Sequence, residues 1–160
     1  MARKDISMTD EELLVFLGDG QKTLQVSSND HDGFPHIVPM WFLVEEPKVV
    51  FRSFSKSQKI VNLRRDPKIA VLVEEGKSYE ELQGAMIKGE ATLIDDADYC
   101  LDLYVGLADR YSFFSGVEPG ATPEQEVREY FAGFAPKQTA VIVEPMEIVS
   151  WDYRKLSGGY

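Results

Sequence analysis

The chain has 160 residues, 44% hydrophobic and 28% charged, and its 27 Asp and Glu against 17 Lys and Arg give a formal net charge of -10. That length fits one domain spanning 1–160 with room for a real core, and the composition is that of a soluble globular protein. The acidic balance argues against a general binder of nucleic acid or of anionic membranes. No apolar run approaches the ~20 residues of a membrane span, and the polar start does not read as a signal peptide, so a cytoplasmic protein is expected.

The first predicted element is a helix over 8–18. Thr9 caps it, acids fill its first turn, and Leu13, Leu14, Phe16 and Leu17 form an apolar stripe stopped by Gly18, as befits a lid over a sheet. Residues 22–28 alternate around Leu24 and Val26 and read as a strand. The run 28–35 is turn chemistry with a hairpin signal at Asp32-Gly33. Asp30 and Asp32 do not make a calcium loop, because the bidentate Glu of such a loop falls where Pro39 stands. His31 and His36 lack metal-ligand spacing, so no metal is expected.

Residues 36–44 are predicted as one strand with Pro39, Met40, Trp41 and Phe42 at its centre. Proline cannot donate to a ladder, so this strand needs an edge, a bulge or an exposed face at Pro39. Its large apolar side chains suit either core or a wall for a flat ligand. A turn at 45–48 leads to a strand over 49–53. A short helix containing Ile60, Val61 and Leu63 follows, capped by Ser55 or Ser57 and ended by Asp66-Pro67.

This helix carries a basic island in an acidic chain: Arg52, Lys56, Lys59, Arg64, Arg65 and Lys68, opposed only by Asp66. Lys59 falls in the first turn, where the helix dipole disfavours a cation. A bound anion resolves the conflict, since free backbone N–H groups, a capping hydroxyl and an ammonium make a phosphate site. A solvated basic helix without a ligand is the competing reading. No phosphate-binding glycine motif is present.

Beyond the helix, 68–74 is a continuous apolar run, expected as a strand buried on both faces, and 74–81 is an acidic loop. Residues 85–94 alternate as a further strand, with Gly84 and Gly89 signalling a bulge or a close backbone approach. A second helix begins at Asp95-Asp96 and carries Leu101, Tyr104, Val105, Ala108 and Tyr111. Cys100, the single cysteine, lies in this apolar pattern as a core thiol. A loop over 116–123 precedes a third helix at 124–131. The last strand spans 137–149, bent at Pro145, and a tail with Trp151, Tyr153 and Arg154 follows before a frayed end at 157–160. The sum is an α+β protein with a mostly antiparallel barrel of six or seven strands and peripheral helices.

Three segments, Gly33 to Phe42, Phe51 to Ser53 and Ser57 to Pro67, together resemble the split-barrel flavin-binding proteins related to pyridoxamine 5'-phosphate oxidase. Within that superfamily the chain is most similar to the flavin/deazaflavin oxidoreductase group. The resemblance implies a split β-barrel homodimer with two cofactor sites at the interface, taking FMN or, alternatively, the deazaflavin coenzyme F420. It implies that Ser57 and Lys59 bind the cofactor phosphate, with Arg52, Ser53, Gln58 and Asn62 close by. It also implies that Val38, Pro39, Met40 and Trp41 border the ring, and that Trp151 and Arg154 come from the second subunit.

The chain lacks the Arg-Leu-Ala-Pro ending that helps the vitamin-synthesising oxidases bind pyridoxamine phosphate, which argues against that activity. The resulting expectation is an oxidoreductase acting on a small organic molecule. Its rival is a non-catalytic flavin- or haem-binding protein, with His31 or His36 as the axial ligand in the haem case.

Overall fold

A computed structural model describes residues 6–156. The expectation of fraying at 157–160 lies outside the described residues. Seven strands form one antiparallel sheet, curled into a half-barrel, in the spatial order β2-β1-β5-β6-β7-β4-β3. The strands are β1 (Leu24–Asn29), β2 (Pro35–Met40), β3 (Leu43–Glu45), β4 (Lys48–Phe54), β5 (Lys68–Glu75), β6 (Gln83–Ile94) and β7 (Gln138–Asp152). Four α-helices accompany them: α1 (Asp10–Gly18), α2 (Gln58–Arg65), α3 (Ala97–Arg110) and α4 (Glu124–Phe131).

Local chemistry accounts for most of these elements. Thr9 and Glu12 form a full capping box, and Leu13, Phe16 and Leu17 bury one face of α1 over the barrel mouth. Asp96 caps α3, whose Cys100 and Leu103 turn to the sheet while Tyr104, Val105 and Ala108 pack towards α4 and Leu101 touches both clusters. The β1–β2 turn uses Gly33 at φ 85, a conformation glycine adopts without penalty. The inner core gathers Leu24, Val26, Phe42, Val49, Phe51, Ile69, Val71, Val73, Ile87, Val141 and Val143 with Ile60 and Leu63 of α2. Each fully buried side chain of this kind contributes roughly 1.5–3 kcal/mol.

Both glycines of β6 serve the purposes expected of them. The pairing shifts register at Lys88/Gly89, opposite Pro145, and a Cβ on Gly89 would stand 1.9 Å from the Glu144 carbonyl oxygen. A Cβ on Gly84 would meet the Trp151 ring at 2.1 Å. Pro39 lies on β2, an edge strand, where its missing N–H costs nothing.

Three expectations require correction. Residues 36–44 are not one strand: the chain leaves β2 at Trp41-Phe42 and restarts as β3 on the opposite edge of the sheet. Phe42 is fully buried in the core and Trp41 stacks on Tyr111, so the two side chains pin the crossing between edges. The β5 strand is buried on one face only, since Ala70 and Leu72 are half-exposed while Ile69, Val71 and Val73 point inward. Finally, β7 continues past 149 to Asp152 because β6 keeps a partner for it as far as Gln83, and a 3-10 turn, Tyr153–Lys155, follows. No helix among the described residues is long and apolar enough to cross a membrane.

Candidate functional site

The site is built where β4 delivers the chain into α2. Consecutive strand residues point to opposite faces. Ser53 therefore faces α2, and Arg52 faces α3. Ser57 is the N-cap residue of α2, but its side chain makes no capping bond, and no acid occupies the first turn. Its hydroxyl lies 3.1 Å from the Ser53 hydroxyl instead.

Lys59 sits in that first turn and donates from Nζ to Ser53 Oγ at 2.8 Å. Among the described residues no carboxylate pairs with it, and partial burial pushes its ammonium below the usual lysine range. A desolvated cation at the positive end of a helix dipole, beside two hydroxyls and first-turn N–H groups without a side-chain cap, can hold an anion. The residues present thus fit a phosphate group. The other arginines of the island have protein partners: Arg64 bonds Asp95 at 2.7 Å and Thr139 at 3.2 Å, and Arg65 bonds the Asn29 carbonyl and Asn62. Arg64 and Arg65 also lie in the last turn of α2, which suits the dipole.

Asn62 is fully buried and holds α2 in place. Its amide donates to Ser28 at 3.1 Å and Asp30 at 2.7 Å, while its carbonyl accepts from Gln58 and Arg65. With its amide thus engaged within the chain, Asn62 positions the cradle. Gln58 is exposed at the helix start and reaches back to Asn62. Sequence reasoning missed Ser28 and Asp30 as the anchors of this helix, because nothing local to a turn announces a partner more than thirty residues away.

On the α3 side, a separate open cavity of about 310 Å³ brings Arg52 together with Pro39, Met40 and Trp41. Trp41 stacks on Tyr111 with centroids 4.7 Å apart, and Phe113 meets it edge-on. Val38 and Met40 share a face of β2 and pack against the core, with Met40 also reaching the wall of this cavity. Arg52 donates to Gln138 Oε1 at 2.9 Å and lies 3.8 Å above the Tyr104 ring. Tyr104 and Gln138 had no signal in the sequence beyond an apolar helical pattern and a strand start. Cys100 is buried nearby, and burial pushes its thiol up, away from nucleophilic character.

Trp151 and Arg154 are not brought to the cradle. Trp151 lies eleven residues beyond Ala140, the β7 partner of Arg52, or about 35 Å along an extended strand. Arg154 is paired with Asp152 at 2.8 Å and lines a different cavity with Glu12, Lys22 and Glu75. Of the two histidines, His31 is exposed in the β1–β2 turn and His36 is half-buried on β2 with Nδ1 unpartnered among the described residues.

Comparisons with known proteins bear on the family and the fold. A family model described as pyridoxamine 5'-phosphate oxidase matches residues 9–132. Among solved structures, a conserved hypothetical protein from Mycobacterium tuberculosis is 28% identical, with a TM-score of 0.86 over 100% of this chain and 94% of that one. An F420 reductase is 20% identical, with a TM-score of 0.62 over 84% of this chain and 94% of its own. A heme storage protein from Vibrio cholerae is 14% identical, with a TM-score of 0.59 over 81% and 87%. At such identities these last two show a shared split-barrel fold. A comparison with curated proteins gives no match.

Proposed function

Because the chain belongs to the pyridoxamine 5'-phosphate oxidase family, we propose that it is an oxidoreductase that binds FMN or the deazaflavin coenzyme F420 and exchanges a hydride with a small organic substrate. The observation that carries this reading is Lys59, a cation without a carboxylate partner among the described residues, bonded to Ser53 Oγ at the start of α2. Both cofactors present a phosphate and a tricyclic ring. When bound, the ring supplies the redox chemistry, and the protein's work is binding and orientation.

In this reading Lys59 neutralises the phosphate, while the Ser53 and Ser57 hydroxyls and the first N–H groups of α2 complete its hydrogen bonds. Asn62, through Ser28 and Asp30, fixes the helix so that those groups are preorganised. The edge-strand backbone of β2 at Val38 to Met40 borders the ring, and Trp41, just past the end of β2, separates the ring from the cavity beside Arg52. We assign the assembly as a homodimer in which Trp151 and Arg154 of a second copy reach the cofactor. Within one chain these residues are not brought to the cradle, so a second copy is what would supply them there.

Titration of the purified protein with FMN and, separately, with F420, followed by cofactor fluorescence, tests the proposal. Tight binding of FMN alone makes it a flavoprotein oxidase or reductase, and preference for F420 makes it a reductase dependent on that coenzyme. Uptake of neither, with hemin giving a Soret band instead, would overturn the reading in favour of a haem-binding protein.

A further inference from the structure

Arg52 is not explained by the phosphate cradle. Its side chain leaves β4 on the face opposite Ser53 and Lys59, and its guanidinium lies between the Tyr104 ring at 3.8 Å and the Phe113 ring at 5.9 Å. Gln138, itself nearly fully buried, accepts from one guanidinium nitrogen through Oε1 at 2.9 Å. Arg52 Nε and Gln138 Nε2 are both buried without hydrogen-bond partners among the described residues. Among the described residues no carboxylate pairs with Arg52, although arginines on the same chain such as Arg64, Arg128 and Arg154 all have one.

A guanidinium stays charged at any ordinary pH, so it cannot escape the cost of burial by losing its proton. Burial lowers its proton affinity here without an opposing carboxylate. The aromatic rings offset part of that cost through their faces. What they do not supply is an acceptor for the planar fork of N–H groups, and a carboxylate matches that fork in geometry and charge. The cavity that Arg52 lines has apolar walls at Pro39, Met40, Trp41 and Leu107 and one further polar residue, Thr23, and its ~310 Å³ suits a small ligand.

We propose that the Arg52–Trp41 cavity is the substrate subsite, and that it selects small, flat organic molecules bearing a carboxylate, which Arg52 receives while Trp41 and Met40 cover the apolar body. This names the substrate class of the oxidoreductase proposed above and rests on that reading for its role in turnover. Tyr104 and Gln138 are positioning residues: one stacks the guanidinium and the other fixes its rotation. The phosphate cradle and the carboxylate subsite lie on the two faces of β4, so one strand separates cofactor anion from substrate anion.

The test compares benzoate with its neutral isostere benzamide, by calorimetric titration of the full chain with and without added FMN. Benzoate is expected to bind at least tenfold more tightly than benzamide. Arg52→Gln should abolish that preference, and Arg52→Lys, which keeps the charge but not the fork, should retain only part of it. Arg52→Gln should also leave the preference for FMN over riboflavin within twofold of the wild-type value. The absence of any benzoate preference in the wild type, or its survival in Arg52→Gln, overturns the proposal. So does a loss of FMN preference in Arg52→Gln, which would assign the guanidinium to the cofactor phosphate. Failure of FMN and F420 to bind while benzoate discrimination persists overturns the cofactor reading alone.

Discussion

Replacing Lys59 with alanine removes one ammonium and leaves the rest of the cradle standing. In the folded chain the Lys59 ammonium donates to the Ser53 hydroxyl and pairs with no carboxylate among the described residues, and its position is half-buried. A charge-assisted hydrogen bond of this kind contributes roughly 1.5–3 kcal/mol, which at about 1.4 kcal/mol per factor of ten predicts a loss of roughly 10- to 150-fold in affinity for FMN. Riboflavin, which has the ring and no phosphate, should bind wild type and variant alike. Fluorescence titrations with both ligands give the comparison, repeated with F420 if that cofactor is preferred. The cofactor-free variant should unfold in urea within about 0.5 kcal/mol of the wild type, because relief of the unfavourable helix dipole offsets the lost Ser53 contact. Equal losses for FMN and riboflavin would refute the reasoning, and so would an unchanged FMN affinity.

Three further outcomes follow from the framework around the site. Gly89→Ala forces a Cβ against the Glu144 carbonyl oxygen, a backbone atom that cannot swing aside, and should cost about 2–3 kcal/mol in urea unfolding. A loss below about 0.5 kcal/mol would show that the bulge can re-form without the glycine. Asn62→Ala strips partners from Ser28, Asp30 and Gln58 at a fully buried position and should destabilise by about 1–3 kcal/mol. It should weaken FMN more than riboflavin, since α2 loses its anchor, and equal weakening would count against a positioning role. Hydrogen bonds from Arg64 and Thr139 hold the Asp95 carboxyl below its usual range. A folded value lowered beneath an unfolded one near 3.9 means that this stabilisation is complete above about pH 4 and fades as the pH falls towards the folded value. Asp95→Asn should therefore flatten the acid-side loss of stability below about pH 4 and leave neutral-pH stability little changed, since the pair is exposed. An identical pH profile for the two proteins would remove Asp95 from the acid response.

Periodicity and punctuation made much of the fold legible. Gln58 to Arg65, bounded by Ser57 and Asp66, forms the helix its capping and breaking residues announce, and Glu124 to Phe131 forms where its spacing placed it. Gly89 marks the bulge because no other residue fits beside Glu144. Signals carried by contacts distant in sequence stayed hidden. Nothing in Pro39-Met40-Trp41-Phe42 says that the strand breaks there, because the break depends on Tyr111 waiting at the end of α3 to receive Trp41. Likewise the alternation of β4 separates Arg52 from Ser53, but only the packing of α3 and the pairing of β7 show that Tyr104 and Gln138 hold the guanidinium. The first-turn position of Lys59 was legible in the sequence for a physical reason, since a lysine there breaks the dipole preference that the first turns of the other α-helices respect.

The most direct test of the central claim is a crystal structure with FMN or F420 bound. The expected result places phosphate oxygens about 2.7–3.2 Å from Lys59 Nζ and from the Ser53 or Ser57 hydroxyl, at the first turn of α2. A phosphate seated instead against Arg52 on the α3 face of β4, with Lys59 still bonded only to Ser53, would contradict it.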